Sequence, residues 1–309
     1  MFLGIDTSCY TTSLAVLDNQ GRLLADKRKL LPVAAGRRGL RQSEGVFLHL
    51  QHLPQLMEAL AAQLGPLSLS AVGVSSRPRP VEGSYMPVFT AGTSFARVLA
   101  AACGIPCLQL SHQEGHLLAG MWSIGFAADG FYALHVSGGT TELLAVQAGD
   151  TLQITLVGGT QDLHAGQFID RTGVALGLPF PAGPHLEALA KTAAQAVQIP
   201  VSVKGCILSF SGPESHVQRL LADGKADKAA VARGVEHCIA ESLRRIICHA
   251  GQEQGNKPVL FVGGVMANQY IRSYLAEHLP GQCFFAETAY AGDNAVGAAY
   301  YAWQKVNRR

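Results

Sequence analysis

The sequence has few charged residues and almost no net charge. Only 15% of its 309 residues are charged, and 24 Lys and Arg against 22 Asp and Glu give a net charge of +2. This balance excludes a general electrostatic attraction for nucleic acid and leaves only a local basic patch for that purpose. Because 48% of the residues are hydrophobic, the composition also excludes a disordered chain and predicts a packed globular protein.

The sequence also lacks segments that would insert it into a membrane or export it. It has no run of about 18 apolar residues, which a membrane-spanning helix needs. The N-terminal residues MFLGIDTS have neither the basic region nor the long apolar stretch of a signal peptide. The seven cysteines are scattered and include no CxxC pair, a pattern typical of reduced cysteines used as small apolar residues. We therefore predict a cytoplasmic protein with no membrane contact.

Two segments show the same order of predicted elements. Residues 1–28 and residues 131–157 each predict strand, turn, strand, turn, strand, and the first turn of each is rich in serine, threonine or glycine. A shift of 129 residues places Ser8 on Ser137 and matches three further residues. The chain therefore has two related halves, each opening with a β-hairpin.

Helices and strands alternate through the rest of the chain, which predicts an α/β class with mixed sheets flanked by helices. We expect two lobes, residues 1–130 and residues 131–309. The last predicted helix, GDNAVGAAYYAWQKV at residues 292–306, is expected to pack back on the first lobe.

Two histidines four residues apart form a candidate metal site. In SHQEGH, Ser111 is a good N-cap, and His112 and His116 would share one face of the helix that follows. With 11 histidines in the chain, such a pair also arises by chance. Asp293 could supply the oxygen ligand that two histidines need, although capping the last helix is its ordinary role.

The position of Glu114 argues against a zinc peptidase. Peptidases of the HExxH type place glutamate directly after the first histidine, where it reaches metal-bound water. Glu114 lies two residues after His112, roughly 200° around the helix at about 100° per residue. We expect it to support a neighbouring backbone or side chain.

Glycines and hydroxyls follow several predicted strands. In VSGGTTEL, backbone amides and hydroxyls could hold a phosphate or carboxylate, although an ordinary hairpin turn is an alternative. The residues concerned are Ser137, Gly138, Gly139, Thr140 and Thr141. Asp6, at the end of the first strand, could orient water or a cation, or could simply form the turn.

Three further segments offer binding residues, each with a plain structural alternative. Gly263 and Gly264 would let a ribose or base approach the backbone, with Asn268 adding an amide, but close strand–helix packing explains them equally well. Asp170 and Gly183 are a weaker pair, since Asp170 beside an arginine is ordinarily a surface ion pair. A basic stretch would contact RNA or simply face solvent. Its residues are Lys27, Arg28, Lys29, Arg37, Arg38 and Arg41.

The motifs GIDTSC, HQEGH, VSGGTT, GQFID, PAGP, LSFSG, FVGGVMAN and GDNA occur in this order along nearly the whole chain. Together they resemble the tRNA threonylcarbamoyladenosine transferase family (TsaD, the glycoprotease family). The resemblance implies a duplicated actin/hexokinase-like ATPase fold. It also implies transfer of threonylcarbamoyl from an adenylate to N6 of adenosine 37 in tRNA.

The resemblance also implies roles for individual residues. His112, His116 and Asp293 match the ligands of a divalent metal, iron or zinc. The turn from Ser137 to Thr141 matches the part that holds the phosphate and acyl end of the substrate. The adenosine part would be held by Asp170, Gly183 and Asn268. We expect Ser137 and Asp6 to act in catalysis. The implied partners are an adenine nucleotide or threonylcarbamoyl-adenylate, tRNA, and either TsaB-like and TsaE-like proteins or a second copy of the chain.

The chain departs from the family pattern near the expected reaction centre. Carboxylates, a leucine and a lysine that are usual in the family are replaced, and the segment SSRPRPVEGSYMPVFTAG is longer than its equivalent. The replacing residues are Tyr10, Thr11, Leu163, Gln167, Pro213 and Glu214. Because lost carboxylates remove candidate general bases, a diverged paralogue that binds nucleotide and acts as partner or scaffold of a true transferase is the alternative.

Overall fold

The computed structural model of the protein describes residues 1–8, 10–32, 40–279 and 281–307. The chain forms two compact units that divide between Phe126 and Ala127. The first unit comprises Met1–Phe126 and the residues from Gly292 onward, and the second comprises Ala127–Ala291. No helix in the described ranges is long and apolar enough to cross a membrane.

The first unit is built on a five-stranded mixed sheet with the order β3-β2-β1-β4-β5. Its strands are β1 (Phe2–Asp6), β2 (Thr11–Leu17), β3 (Leu23–Leu30), β4 (Ala71–Arg77) and β5 (Cys107–Ser111). Its helices are α1 (Gln42–Leu64), α2 (Phe89–Cys103), α3 (His112–Ser123) and α10 (Val296–Asn307). All residues of β1 and β2 are buried, because helices cover both faces of these central strands.

The predicted turns of the first unit have clear local causes. Gly21 closes the β2–β3 turn with a φ of 76°, a conformation that favours glycine, and the ring of Trp303 packs against it. Gly104 ends α2 in the left-handed conformation, which glycine adopts more readily than other residues.

The second unit contains a seven-stranded sheet with the order β12-β11-β6-β7-β8-β10-β9. Its strands are β6 (Gly130–Val136), β7 (Thr141–Gln147), β8 (Gln153–Thr160), β9 (Ser202–Lys204), β10 (Ile207–Ser209), β11 (Val259–Val262) and β12 (Cys283–Phe285). Its helices are α4 (Ala165–Leu176), α5 (Gly183–Ala190), α6 (Ser211–Ala222), α7 (Lys228–Gln254), α8 (Gln269–His278) and α9 (Thr288–Ala291), and a 3₁₀ turn spans Gly264–Ala267.

The two sheets repeat one arrangement. β1 pairs antiparallel with β2 and parallel with β4, and β6 pairs in the same way with β7 and β11. The hairpin registers agree as well, since Asp6 faces Ser13 and, 129 residues further along, His135 faces Glu142. The predicted duplication of the hairpin is therefore confirmed at the level of individual strand pairs.

One predicted helix is shorter than expected. The sequence pattern predicts a helix from Gly183 to Val197, but α5 ends at Ala190. The following segment lies against α7, where the Val197 amide donates to the carbonyl of Ala230 at 3.0 Å. Contact with α7 therefore replaces the helical hydrogen bonds that the local sequence favours.

Candidate functional site

Three side chains of the first unit converge at the start of α3. His112 and His116 lie on this helix, and Asp293 precedes α10. The Nε2 atoms of the two histidines are 3.0 Å apart. Asp293 Oδ1 lies 3.5 Å from His112 Nε2 and 3.3 Å from His116 Nε2. One ligand atom from each residue thus falls within a span of 4.8 Å.

The size of this triangle suits a divalent ion. Neighbouring ligands of a tetrahedral zinc ion, with bonds of about 2.1 Å, lie about 3.4 Å apart. Neighbouring ligands of an octahedral ion with bonds of the same length lie about 3.0 Å apart. The three distances in the structure, 3.0, 3.3 and 3.5 Å, span these two values. Two imidazoles and one carboxylate are also a donor set that iron and zinc accept.

The start of α3 is fixed by a capping box. The Ser111 hydroxyl accepts a hydrogen bond from the Glu114 amide, and the Glu114 carboxylate accepts from the Ser111 amide at 2.7 Å and from its hydroxyl at 2.6 Å. Glu114 is thus engaged with the backbone, as its sequence position indicates. It does not act as the glutamate of a zinc peptidase.

Close helix packing brings Asp293 to the histidines. A Cβ added to Gly297 of α10 would lie 1.9 Å from the carbonyl oxygen of Gly115 in α3, so the two helices touch at backbone distance. Asp293 does not cap α10, because the Val296 amide donates instead to the side chain of Asn294 at 2.9 Å. The Asp293 carboxylate is therefore available to the histidines, and the Asp293 side chain is 28% exposed.

A buried carboxylate supports the first histidine. Asp6 Oδ2 lies 2.9 Å from His112 Nδ1, on the side of the ring opposite Nε2. Burial opposes a charge on His112, but Asp6 and Asp293 together raise its pKa well above the ordinary value. Burial likewise opposes the charge of Asp293, yet hydrogen bonds and the charges of His112 and His116 lower the pKa of this carboxyl. These interactions favour the ionised form of the Asp6 and Asp293 carboxylates.

The turn from Ser137 to Thr141 has an open part and a structural part. Cβ atoms added to Gly138 and Gly139 would meet open space, and both residues are exposed. Ser137 accepts from the Gly139 amide at 3.3 Å. Thr141 is fully buried, and its hydroxyl accepts from the amide of Ala165 at the start of α4. Residues 137–140 can therefore meet a ligand, whereas Thr141 fixes α4.

The two glycines after β11 differ. Gly263 has a φ of 99°, and a Cβ there would lie 2.3 Å from the Val136 carbonyl, so close backbone packing explains this residue. A Cβ on Gly264 would meet open space. Asn268 uses both ends of its side-chain amide within the protein, because its Oδ1 accepts from the Ile271 amide at 2.9 Å and its Nδ2 donates to Glu236 at 2.6 Å.

One hydrogen bond brings Asp170 and the segment before Gly183 together. Asp170 Oδ1 accepts from the Ala182 amide at 2.8 Å. Burial raises the pKa of Asp170, against the effect of this bond. A side chain on Gly183 would meet open space. Asp170 therefore lies beside an accessible turn of the second unit, and not in the surface ion pair that its sequence neighbour suggests.

The sequence motifs do not identify two carboxylates of the second unit, namely Asp162, which accepts several hydrogen bonds, and Glu236, which is buried. Asp162 accepts from the hydroxyls of Ser209 and Ser211 and from the Phe210 amide, and these bonds hold its pKa below the ordinary value although burial opposes them. Burial raises the pKa of Glu236, the partner of Asn268, to about 7. The motif LSFSG contains the two serines, but no sequence pattern links them to Asp162.

The basic stretch of the first unit is only partly described. Lys29 donates to Gln55 at 2.7 Å, and Arg28 pairs with Asp26. Arg37 and Arg38 lie outside the described residues.

Comparison with known proteins gives two kinds of match. A family model described as TsaD, tRNA N6-adenosine threonylcarbamoyltransferase, matches residues 46–300. The tRNA N6-adenosine threonylcarbamoyltransferase of one Thermus thermophilus strain is 31% identical over 318 aligned residues, covering 99% of this chain and 93% of that protein. The corresponding protein of a second strain of the same species is also 31% identical and is covered to 92%.

Solved structures with this fold share little sequence with the chain. The activator of 2-hydroxyisocaproyl-CoA dehydratase from Clostridium difficile, solved with bound ADPNP, has a TM-score of 0.58 at 15% identity and covers 100% of this chain and 96% of its own. A ROK family glucokinase from Streptomyces griseus, in complex with glucose and AMPPNP, has a TM-score of 0.51 at 14% identity, with coverage of 98% and 99%. The predicted duplicated, actin/hexokinase-like fold is confirmed.

Proposed function

Because this chain belongs to the tRNA N6-adenosine threonylcarbamoyltransferase family, we propose that it transfers a threonylcarbamoyl or related carbamoyl or acyl group from an adenylate to adenosine 37 of tRNA. The observation that supports this best is the triangle formed by His112, His116 and Asp293, because its edges fit a divalent ion. The ion in this proposal is iron or zinc.

The metal ligands would have a defined task in the reaction. His112 and His116 would bind the ion through Nε2, and Asp293 would bind it through one carboxylate oxygen. A bound divalent ion supplies Lewis acidity, which polarises the carbonyl group of the transferred carbamoyl. The remaining exposure of Asp293 leaves a way for substrate to reach this side of the triangle.

Residues of the second unit would bind the nucleotide part of the substrate. The Ser137–Thr140 turn would direct backbone amides at the phosphate, and the Ser137 hydroxyl can donate to a ligand oxygen while it accepts from Gly139. The adenosine would lie against Gly183 and Gly264, where space is open, with Asp170 and Asn268 beside them. These groups act by positioning and by stabilising charge on the leaving phosphate.

Complementation tests this proposal directly. A bacterium depleted of its own transferase would receive this protein, with TsaB-like and TsaE-like proteins from the same source, and the modified adenosine in bulk tRNA would be measured by mass spectrometry. We expect restoration by the wild type and by Asp18→Asn, a change in the β2–β3 turn, and none by His116→Ala. Absence of modification with the wild type and its partners would contradict the proposal.

A specific observation favours a second candidate, a nucleotide-binding partner or scaffold of a true transferase. At two positions where the family usually has carboxylates, Leu163 is buried in the core and Gln167 accepts from the His164 amide at the start of α4. Both positions have structural roles that do not supply a general base. Metal analysis of freshly purified protein separates the candidates, because a scaffold has no need of an ion.

A cytoplasmic location and the interaction with tRNA complete the proposal. The described cysteines are free thiols, which suits a reducing compartment. Activity is to be tested in complexes of this chain with TsaB-like and TsaE-like proteins or with a second copy of the chain.

A further inference from the structure

Asp6 is a carboxylate with two different tasks in the first unit. It ends β1 and is 1% exposed. Its Oδ1 accepts from the Ser8 amide at 2.8 Å and from the Ser8 hydroxyl. Its Oδ2 lies 2.9 Å from His112 Nδ1. One side chain therefore joins the β1–β2 turn to a candidate metal ligand.

The burial of Asp6 and the hydrogen bonds that it accepts distinguish a catalytic role from a positioning role. A general base must come within about 3 Å of the atom whose proton it removes. Asp6 is separated from solvent, and both of its oxygens already accept hydrogen bonds within the protein. It is therefore not placed to contact a substrate, but it is placed to orient His112.

The direction of the Asp6–His112 bond selects one form of the ring. A carboxylate accepts, so His112 Nδ1 must donate its hydrogen to Asp6. In the neutral imidazole, Nε2 then has the free electron pair. This is the nitrogen that lies 3.0 Å from His116 Nε2 and 3.5 Å from Asp293 Oδ1.

We propose that Asp6 is a positioning residue that holds His112 with Nε2 directed at the ion and couples the β1–β2 turn at Ser8 to metal binding. The inference rests on the proposed metal centre of His112, His116 and Asp293. It adds a buried residue that contacts neither the ion nor the substrate. Carboxylates that orient metal-binding histidines typically change metal affinity by about 10- to 100-fold.

The substitution Asp6→Asn tests this arrangement with almost no change of shape. An amide has one accepting and one donating end, whereas Asp6 accepts on both sides. If Oδ1 keeps the Ser8 amide, the NH₂ group faces His112 Nδ1, and the ring must place its hydrogen on Nε2. If the amide turns over, its NH₂ group faces the Ser8 amide. Each orientation loses either metal binding or the turn.

Asp18→Asn is the matched control. Asp18 directly follows a strand of the first unit, and its Oδ1 accepts at 2.8 Å from the amide two residues further on, that of Gln20. It therefore has the same turn-forming role as Asp6, but Arg22 takes the place of a histidine as its second partner.

Zinc affinity is measured by competition with a chromophoric chelator. We expect Asp6→Asn to bind zinc about 10- to 100-fold more weakly than wild type, and Asp18→Asn to bind it equally well. Equal affinity of folded Asp6→Asn and wild type would overturn the inference while leaving the metal centre intact. If the wild type bound no zinc or iron, the proposed metal centre itself would be wrong.

A spectroscopic measurement on the wild type does not depend on how the variant folds. Long-range ¹H–¹⁵N correlation spectra of the zinc-loaded protein, with His112 assigned through His112→Ala, distinguish a protonated Nδ1 from a protonated Nε2. We expect a protonated Nδ1 and a metal-bound Nε2 on His112. A metal-bound Nδ1 would overturn the inference whatever the affinities are.

Discussion

The close contact between α3 and α10 allows the effect of a substitution at Gly297 to be estimated from the structure. A methyl group on Gly297 would place a carbon 1.9 Å from the Gly115 carbonyl oxygen and 3.0 Å from the Ala119 amide nitrogen. Carbon and oxygen atoms in ordinary contact are about 3.4 Å apart or more. Gly297→Ala must therefore displace α10 from α3 by about 1.5 Å, and overpacking of this kind costs about 1–3 kcal/mol of folding free energy.

This displacement acts directly on the metal triangle. Asp293 Oδ1 lies 3.3 Å from His116 Nε2, and moving α10 away would lengthen this distance by an amount similar to the helix shift. Two ligands of one ion with bonds of about 2.1 Å are at most about 4.2 Å apart, and only when they face each other across it. We therefore expect Gly297→Ala to lose Asp293 as a ligand and to bind zinc about 100-fold more weakly or worse.

Gly115→Ala is the matched control, because it adds the same methyl group to the other glycine of this contact without bringing it within 4 Å of a described atom of α10. Among the residues that the structure describes, a Cβ on Gly115 would meet only the Ser75 hydroxyl, at an ordinary contact distance of 3.6 Å. Zinc affinity by chelator competition and folding by circular dichroism would be measured for both variants. A folded Gly297→Ala protein that binds zinc within about threefold of the Gly115→Ala protein would refute the reasoning, since loss of a ligand changes affinity by far more.

Two further predictions concern the second unit. Gly263→Ala should lower the free energy of unfolding, measured in urea, by about 2–4 kcal/mol. The reason is that Gly263 has a φ of 99° and that the new Cβ would meet the Val136 carbonyl. Gly264→Ala places its Cβ in open space and should change the free energy of unfolding little. Burial raises the pKa of Glu236 to about 7, so ionisation of this acid opposes folding and stability falls as pH rises from its unfolded value of 4.5 toward 7. Glu236→Gln should therefore gain thermal stability relative to wild type between about pH 5 and pH 8, and parallel melting curves across this range would contradict the assignment.

The sequence predicts those elements whose stability is local. The two hairpins follow from apolar strands separated by turn residues, and α2 ends where Gly104 adopts the left-handed conformation. The helix of the two histidines begins after Ser111, because Ser111 and Glu114, three residues later in the sequence, form a capping box.

The missed elements depend on partners far along the chain. The sequence patterns assign no helix to α4, whose sequence AGQFIDRTGVAL contains two glycines and several β-branched residues before its end. Its first turn is held from outside by the Thr141 hydroxyl and by packing of Gly166 on the backbone at Gly138. No periodicity within α4 could reveal those contacts.

The metal triangle shows the same division between local and distant information. The spacing of His112 and His116 is visible in the sequence, and their convergence follows from one helix. The approach of Asp293 depends instead on Gly297 touching Gly115, a contact between helices far apart in the sequence. The bond from Asp6 to His112 depends on β1 ending beside α3, so a strand-end aspartate alone could not be distinguished from a turn former.

The duplicated turns explain why the two units offer different chemistry. After β1, the side chains of Ser8 and Thr12 are buried, Ser8 is bonded to Asp6, and Thr12 is bonded to His49 at 2.8 Å. After β6, the equivalent turn exposes Gly138 and Gly139 with open space around them. A ligand can therefore reach the backbone amides of the second turn, whereas Ser8 of the first turn is buried and the strand-end carboxylate is directed at a histidine. Changes in the first turn should alter metal affinity, and changes in the second should alter nucleotide affinity.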